Sequence, residues 1–176
     1  MKKAILFLII FPTLVFSQTR HTGNGESYIK NFRIDGTNYV MDLKRESHDE
    51  IFLRLVESKA KYEIEIFTFS PRTENYSVIY SLCYYKKVLF LINIDYKTNN
   101  DIGTAEIQKM ISTIKSRLGQ CTSRTSDNQL VWQYGNYFAQ MNETGTTNKS
   151  LYLMNAVTGK KWMSVVPSMY ALKNNL

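Results

Sequence analysis

One amphipathic helix restricts the fold of this chain more than any other feature of the sequence. Over residues 104–118, apolar side chains recur at the spacing of three and four that places them on one face of a helix. They are Ile107, Met110, Ile111, Ile114 and Leu118. Thr104 is suited to the N-cap, and Gly119 to the left-handed position that ends a helix. Because nothing else in the chain can cover this apolar stripe, the helix has to pack on a β-sheet.

A first hairpin is predicted around Asp35 and Gly36, because this dipeptide readily adopts the positive φ angles of a two-residue type I′ turn. Runs of alternating apolar and polar residues stand on both sides of it. Pairing across the turn places one set of apolar side chains on a common face that is directed to the core. This set comprises Tyr28, Phe32, Ile34, Tyr39, Met41 and Leu43.

A second hairpin is predicted around Gly135 and Asn136, a pair that is also suited to a two-residue turn. Its strands are residues 130–134 and 137–141. Pairing aligns Leu130, Trp132 and Tyr134 with Tyr137, Ala139 and Met141. The three aromatic residues Trp132, Tyr134 and Tyr137 have the chemistry of a sugar-stacking platform, but their alignment with Leu130 and Met141 favours a place in the core.

The segment between the first hairpin and the helix also has the pattern of strands. Residues 62–66 alternate strictly, which predicts a strand with Glu63 and Glu65 on one solvent-facing side. Residues 51–56 are apolar and fit a strand or a helix. Two paired carboxylates are typical of a glycosidase, but on an exposed strand Glu63 and Glu65 would have no buried environment to change their titration.

Two longer runs, residues 76–85 and 88–96, are predicted to pair through a turn at Lys86 and Lys87. The first run is interpreted as a strand, although it also fits a helix. The second is apolar on both faces in its first half, which is typical of a central strand.

The last predicted strand covers residues 151–156, and a turn at residues 159–161 follows it. An aromatic content of 13% with 12 tyrosines favours sheet over helix. The sequence therefore predicts an α+β domain over residues 28–176, in which one helix packs on an antiparallel sheet of about seven to nine strands. Residues 18–27 are polar, contain two glycines and are predicted to be flexible.

The N-terminus has the three parts of a bacterial-type secretory signal over residues 1–17. Lys2 and Lys3 form the basic region, an apolar stretch follows, and cleavage is expected between Ser17 and Gln18. An uncleaved anchor is the alternative, but the apolar stretch is shorter than the roughly 20 residues that span a bilayer. We therefore expect an exported protein, periplasmic or extracellular, with no transmembrane anchor after cleavage.

The positive charge of the chain does not indicate a nucleic-acid partner. The net charge is +7, of which Lys2 and Lys3 in the leader contribute two, and the remaining basic residues are spread along the sequence. A nucleic-acid groove needs a concentrated basic stripe. Weak attraction to an acidic polysaccharide or an anionic membrane surface remains open.

Two cysteines, Cys83 and Cys121, would both meet an oxidising compartment after export, so a disulfide between them is a candidate. The alternative is a buried thiol at Cys83, since this residue lies in an apolar run. A disulfide would tie the C-terminal end of the helix to the sheet.

No catalytic, cofactor-binding or metal-binding residue is predicted. His48 stands beside Asp49 and Glu50, but neighbours in a strand point apart and no second ligand follows at metal spacing. Without such a motif, the sequence favours a non-enzymatic domain that binds a small ligand or a protein partner. A structural role in the cell envelope is the alternative, and a secreted hydrolase would have to use His48, Glu63 and Glu65.

Overall fold

A computed structural model describes residues 24–34, 37–44, 54–59, 63–125, 129–142 and 147–165. Within these ranges the chain forms three helices, which are α1 (Asn24–Lys30), α2 (Asp101–Leu118) and α3 (Ala156–Val165). The strands before α2 are β1 (Asn31–Ile34), β2 (Thr37–Val40), β3 (Arg54–Lys59), β4 (Ile64–Phe69), β5 (Ser77–Tyr85) and β6 (Val88–Lys97). The strands after α2 are β7 (Ser123–Arg124), β8 (Leu130–Tyr134), β9 (Tyr137–Asn142) and β10 (Asn148–Asn155).

The strands form one eight-stranded antiparallel sheet and one separate hairpin. The order in the large sheet is β3-β4-β5-β6-β10-β9-β8-β7, and β1 pairs with β2. The chain thus builds two four-stranded meanders that are connected by α2. Strand β10 returns to pair with β6 and joins the meanders into one sheet. This architecture confirms the predicted α+β class.

Strand β6 lies in the middle of the sheet, between β5 and β10, as its sequence predicts. Its residues are buried on both faces from Leu89 to Ile94. Leu89, Ile92 and Ile94 belong to the large core beneath α2, and we call this side of the sheet the inner face. Phe90 and Leu91 belong to a second, smaller cluster on the opposite side, which we call the outer face.

The turn between β5 and β6 lies at Lys86 and Lys87, as predicted. Both lysines have positive φ angles, 52° and 64°, which a two-residue primed turn requires. The backbone N–H of Lys86 donates to the carbonyl oxygen of Glu63 at 2.8 Å. This hydrogen bond connects the turn between β5 and β6 to the turn that precedes β4.

Helix α2 covers the inner face with the predicted stripe. Ile107, Ile111 and Leu118 are almost fully buried. The helix starts at Asp101 and not near Thr104, because Asn100 is the N-cap: its Oδ1 accepts the backbone N–H of Gly103 at 2.7 Å. Asn is among the best N-cap residues and outranks Thr.

Helix α2 ends at Leu118 and Gly119 caps it, as predicted, but with φ 76° and ψ −155° this glycine lies outside the predicted left-handed helical region. The second hairpin satisfies the last carbonyl groups of the helix, which have no partner within the helix itself. Trp132 Nε1 donates to the carbonyl oxygen of Gly119 at 2.8 Å, and the Tyr134 hydroxyl donates to that of Leu118. This arrangement gives the two aromatic side chains a structural role.

The second hairpin has the predicted strands and register. Leu130, Trp132 and Tyr134 face Met141, Ala139 and Tyr137. Trp132 is 1% exposed, Tyr134 is 7% exposed and Tyr137 is 8% exposed. The three aromatic side chains therefore belong to the inner core, and a sugar-stacking platform at these residues is excluded.

The N-terminal prediction is partly wrong. The short helix α1 occupies Asn24–Lys30, which were predicted as the end of a flexible segment and the start of a strand. The helix packs against α2 and β9, and Ile29 is fully buried. A helix of seven residues is not stable alone, so tertiary packing forms it and its sequence carries little signal.

The hairpin that follows α1 agrees with the prediction over residues 31–34 and 37–41. Phe32 pairs with Tyr39, and both are buried with Met41. Leu43 is 42% exposed, contrary to the prediction. The chain turns at Asp42, where the φ angle is 70°, and this turn removes Leu43 from the hairpin face.

The end of the chain also differs from the prediction. Residues 156–165 form helix α3, where the sequence predicts the last strand residue and a turn over residues 159–161. Gly159 lies within this helix. A Cβ at Gly159 would be 2.6 Å from Met154 Sδ, so a larger residue here would require the Met154 side chain to move.

Candidate functional site

A group of polar side chains lies in the centre of the outer face, which is an unusual place for them. Asn93 and Asp95 on β6 face Tyr152 and Ser150 on β10 in register. Leu91 and Met154, one pair nearer the start of β6, belong to the apolar cluster of the outer face. Since side chains alternate along a strand, the next pairs on this face are Asn93 with Tyr152 and Asp95 with Ser150. We call these four residues the outer polar patch.

The carboxylate of Asp95 organises the outer polar patch. Asn93 Nδ2 donates to Asp95 Oδ2 at 2.7 Å, and Ser150 Oγ donates to Asp95 Oδ1 at 2.7 Å. An ionised carboxylate only accepts hydrogen bonds. It therefore fixes the orientation of the Asn93 amide, with the nitrogen toward Asp95 and the oxygen away from it.

The amide oxygen of Asn93 is the exceptional atom of the outer polar patch. Asn93 is 6% exposed, and its Oδ1 is buried without a hydrogen-bond partner. Most buried polar atoms in proteins have at least one partner, and an unsatisfied one destabilises the folded state by about 1–3 kcal/mol. A donor group placed against Asn93 Oδ1 would recover this energy.

Tyr152 supplies a phenol that stays protonated. Burial raises the pKa of Tyr152 to about 12, the negative charge of Asp95 adds to the increase, and a hydrogen bond with Ser150 opposes it. The hydroxyl group of Tyr152 is therefore neutral at physiological pH. Its ring is partly buried against the apolar cluster of the outer face.

The apolar cluster adjoins the outer polar patch along the same strands. Its buried members are Cys83, Phe90, Leu91 and Met154. Partly buried side chains pack around them, namely Ile66, Tyr85, Phe138 and Tyr152. Asp95, Ser150 and Tyr152 remain partly exposed. The outer face thus presents hydrogen-bonding groups beside apolar surface.

A second polar cluster, formed by Asp42, Tyr137 and Asn155, connects the first hairpin to the sheet. Asp42 accepts hydrogen bonds from the Tyr137 hydroxyl and from Asn155 Nδ2, the latter at 2.6 Å. Burial and the hydrogen bond to Asp42 raise the pKa of Tyr137. Asn155 Oδ1 accepts the backbone N–H groups of Val157 and Thr158, which makes Asn155 the N-cap of α3. Every polar atom of this cluster that we describe has a partner, so its role is structural.

The prediction that Glu63 and Glu65 share a solvent-facing side is wrong. Glu63 has a φ angle of 55° and lies in the turn before β4, where its Oε2 is 3.2 Å from Lys86 Nζ. Glu65 pairs with Tyr84, which is fully buried in the inner core, and its Oε2 is shielded from solvent. Ile66 packs on the outer cluster instead. The register of β4 against β5 places the isoleucine on the outer face and Glu65 on the inner one.

No disulfide joins Cys83 and Cys121. Cys83 is buried in the apolar cluster of the outer face, whereas Cys121 packs against the inner core. The two thiols therefore lie on opposite sides of the sheet, which separates them. The candidate disulfide of the sequence is not formed.

Other sequence predictions lie outside the described residues. These include the signal cleavage site at Ser17 and Gln18 and the sequence His48, Asp49 and Glu50. Among the described residues, no group of three or more His, Cys, Asp or Glu side chains is arranged to hold a metal ion. In the same part of the chain, no helix has the length and apolar character that crossing a membrane requires.

Sequence reasoning missed the outer polar patch. The alternation of Asn93 and Asp95 in the second half of β6 is visible in the sequence, as polar residues within an otherwise apolar central strand. Ser150 and Tyr152 alternate in the same way on β10. The two pairs meet only because β10 inserts beside β6, which no local pattern indicates.

Comparison of the chain with protein families, with curated proteins and with solved structures finds no match in any of the three. The sequence and the geometry of the chain therefore carry the functional proposal.

Proposed function

We propose that this protein is an exported, non-enzymatic domain that binds a small ligand at the outer polar patch. The observation that carries the proposal is the amide oxygen of Asn93, which is buried without a hydrogen-bond partner beside Asp95. Because this oxygen is itself buried, a ligand with a suitable donor group would satisfy it once the side chains that cover it move aside. The free energy that the folded protein loses at Asn93 would then contribute to ligand affinity.

The surroundings of the outer polar patch support a ligand of mixed character. Binding sites for small molecules typically combine apolar and aromatic lining with a few polar groups that fix orientation. Here the polar groups are Asp95, Ser150 and the Tyr152 hydroxyl, while Phe138 and the Tyr152 ring provide apolar contact. A ligand with a polar head and an apolar body fits both halves.

Binding is favoured over hydrolysis because the candidate catalytic carboxylates do not converge. Glycoside hydrolysis needs two carboxyl groups on either side of one bond. Glu63 forms an exposed ion pair with Lys86, while Glu65 is directed to the inner face. Asp95 on the outer face is held by two hydrogen bonds from neighbouring side chains. Fixed acceptors of this kind suit recognition.

Export is part of the proposal, and the sequence of residues 1–17 supports it. Intact-mass measurement of the protein recovered from its producing cell tests it. We expect a species that begins at Gln18. A full-length species that stays in the membrane fraction would contradict export and favour the anchor.

A thermal-shift screen tests ligand binding at the outer polar patch. The probes are small polyols, sugars, amino acids and amines at millimolar concentration, because a ligand that binds only the folded state raises the melting temperature. The informative variant is Asn93→Leu, which has nearly the same shape and lacks the unsatisfied oxygen. The matched control is Asn99→Leu in the exposed loop before α2.

We expect at least one probe to stabilise the native protein and the Asn99→Leu control but not the Asn93→Leu variant. The variant itself should fold, because the buried Asn93 Oδ1 has no partner to lose, and Asp95, which loses the Asn93 amide donor, is partly exposed and can accept from water. A probe that stabilises all three proteins equally binds elsewhere and contradicts the proposal. A screen without any stabilising probe also contradicts it.

A further inference from the structure

We infer that the ligand of the outer polar patch carries a positively charged nitrogen group, an alkylammonium or a guanidinium. This inference rests on the proposed function and assigns a chemical class to its ligand. It follows from three features of the outer polar patch, namely its acceptor groups, its uncompensated charge and its apolar border.

The outer polar patch is rich in acceptors. Asn93 Oδ1 accepts no hydrogen bond, and each oxygen of Asp95 accepts one from the side chains around it. A carboxylate oxygen has room for two hydrogen bonds. A ligand that contacts Asp95 and also reaches Asn93 Oδ1 would therefore provide several donors together. An ammonium group has three N–H donors and a guanidinium group has five, and neither has an acceptor.

The charge of Asp95 distinguishes a cation from a neutral polyol. Within the described residues, Asp95 forms hydrogen bonds to Asn93 and Ser150 but no ion pair. Lys97 follows on the same face of β6 and is exposed, yet it makes no ion pair with Asp95. Asp95 is partly exposed, so a ligand that covered it without a counter-charge would bind unfavourably. A ligand cation would compensate this charge, and its hydrogen bonds to Asp95 would be roughly twice as strong as neutral ones.

The apolar border of the patch suits the carbon chain that carries such a group. Phe138 and Tyr152 are partly buried against the apolar cluster. Tyr152 faces Asn93 across β10 and β6, and Phe138 lies on β9 opposite Met154. An aliphatic stem can pack on these rings while its charged end reaches Asp95. Aromatic rings also attract cations through their negative faces. Both a free amine and the side chain of a lysine or arginine in a partner protein have this chemistry.

Isothermal titration of the full exported protein tests the inference. The charged probes are pentylamine, agmatine and a short peptide with one central lysine, and the matched neutral probe is 1,5-pentanediol. The informative variant is Asp95→Asn, and the control is Glu74→Gln, an exposed acid in the loop before β5. The fold should tolerate Asp95→Asn. After the Asn93 amide rotates, the side-chain amide introduced at position 95 can donate a hydrogen bond to Asn93 Oδ1.

We expect a charged probe to bind the native protein at least tenfold more tightly than pentanediol. Asp95→Asn should weaken that binding at least tenfold, about 1.4 kcal/mol, while Glu74→Gln leaves it unchanged. Added salt should also weaken it. Binding of free amines supports a small-molecule ligand, and binding of the lysine peptide alone supports a protein partner.

Three results would overturn the inference, and they are distinguishable. If neutral polyols bind in an Asn93-dependent manner and amines do not, the ligand is not a cation, but the proposed binding function stands. If neither class binds, both the inference and the proposed function are wrong. Equal effects of Asp95→Asn and Glu74→Gln would show that the amines respond only to the overall charge of the protein.

Discussion

The substitution Gly103→Ala distinguishes helix propensity from packing in this fold. Gly103 lies in the first turn of α2, where propensity alone predicts that alanine stabilises the helix by about 1 kcal/mol. The structure predicts the opposite. A Cβ at this position would lie 2.0 Å from the carbonyl oxygen of Asn75 and 2.2 Å from Thr98 Oγ1. The nearer atom belongs to the backbone, so no side-chain rotation relieves the contact.

The magnitude follows from the interactions that this clash disturbs. Ordinary contact begins at 3.4 Å, so the start of α2 has to move away from the Asn75 carbonyl group by more than an ångström. That movement weakens the N-cap bond from Gly103 to Asn100, which measures 2.7 Å, and the bond from Thr98 Oγ1 to Asn75, which measures 2.8 Å. Each such bond contributes about 1 kcal/mol, and overpacking adds about 1–3 kcal/mol. After the gain in propensity, the net loss of stability is about 3 kcal/mol.

Urea denaturation and calorimetry measure this loss. A change of about 3 kcal/mol lowers the melting temperature by roughly 6–12 °C in a domain of this size. The control is Ala105→Gly at an exposed position of the same helix, which propensity alone should destabilise by about 1 kcal/mol. We expect both variants to be destabilised, Gly103→Ala more strongly. A Gly103→Ala protein that melts at or above the native temperature would refute the close packing of α2 on this loop.

Two further predictions concern the core and the buried phenols. Ile111→Asp should destabilise the protein by roughly several kcal/mol in urea denaturation, because it buries a charge beneath α2. The control Lys109→Asp, on the exposed side of the helix, should change the stability little. Equally small effects of the two substitutions would contradict the burial of Ile111 in the inner core. Burial raises the pKa of Tyr28 and of Tyr152 to about 12, above the unfolded value near 10. The unfolded chain loses these protons first, so the stability they contribute is present below pH 10 and falls as the pH rises to 12; an unchanged unfolding free energy over this range would contradict the burial.

Sequence patterns correctly predicted the elements whose formation depends on residues that are close together in the chain. The second hairpin has its predicted turn at Gly135 and Asn136 and its predicted register, because a two-residue primed turn fixes both. The prediction that the apolar stripe of α2 is buried is also confirmed, because a helix with one apolar face must cover that face. In contrast, no sequence pattern indicates α1, and the sequence predicts a turn at Gly159 where the structure has helix α3. Both depend on tertiary contacts, of α1 with α2 and of Gly159 with Met154.

The candidate site was missed for a related reason. A strand pattern shows which side chains share a face but not which strand will lie beside it. The inward direction of Glu65 follows from its pairing with Tyr84, and the outer polar patch follows from the pairing of β6 with β10. Each pairing joins segments whose own sequences fit several partners. The chemistry of Asn93 becomes visible only when its partners, its burial and its unsatisfied oxygen are known together.

The construction of the outer face explains why the polar patch has a fixed shape. The side chain of Asn155 caps α3 through its oxygen and donates to Asp42 through its nitrogen. One residue thus connects the first hairpin, the end of β10 and the start of α3, which then packs through Gly159 on Met154. Met154, at this apolar end of the outer face, is only 1% exposed. On β6, Asn93 and Asp95 lie two and four residues from Leu91, which pairs with Met154. The hydrogen bonds that Asp95 accepts from Asn93 and Ser150 fix these side chains before a ligand arrives, and preordered acceptors lose little entropy on binding.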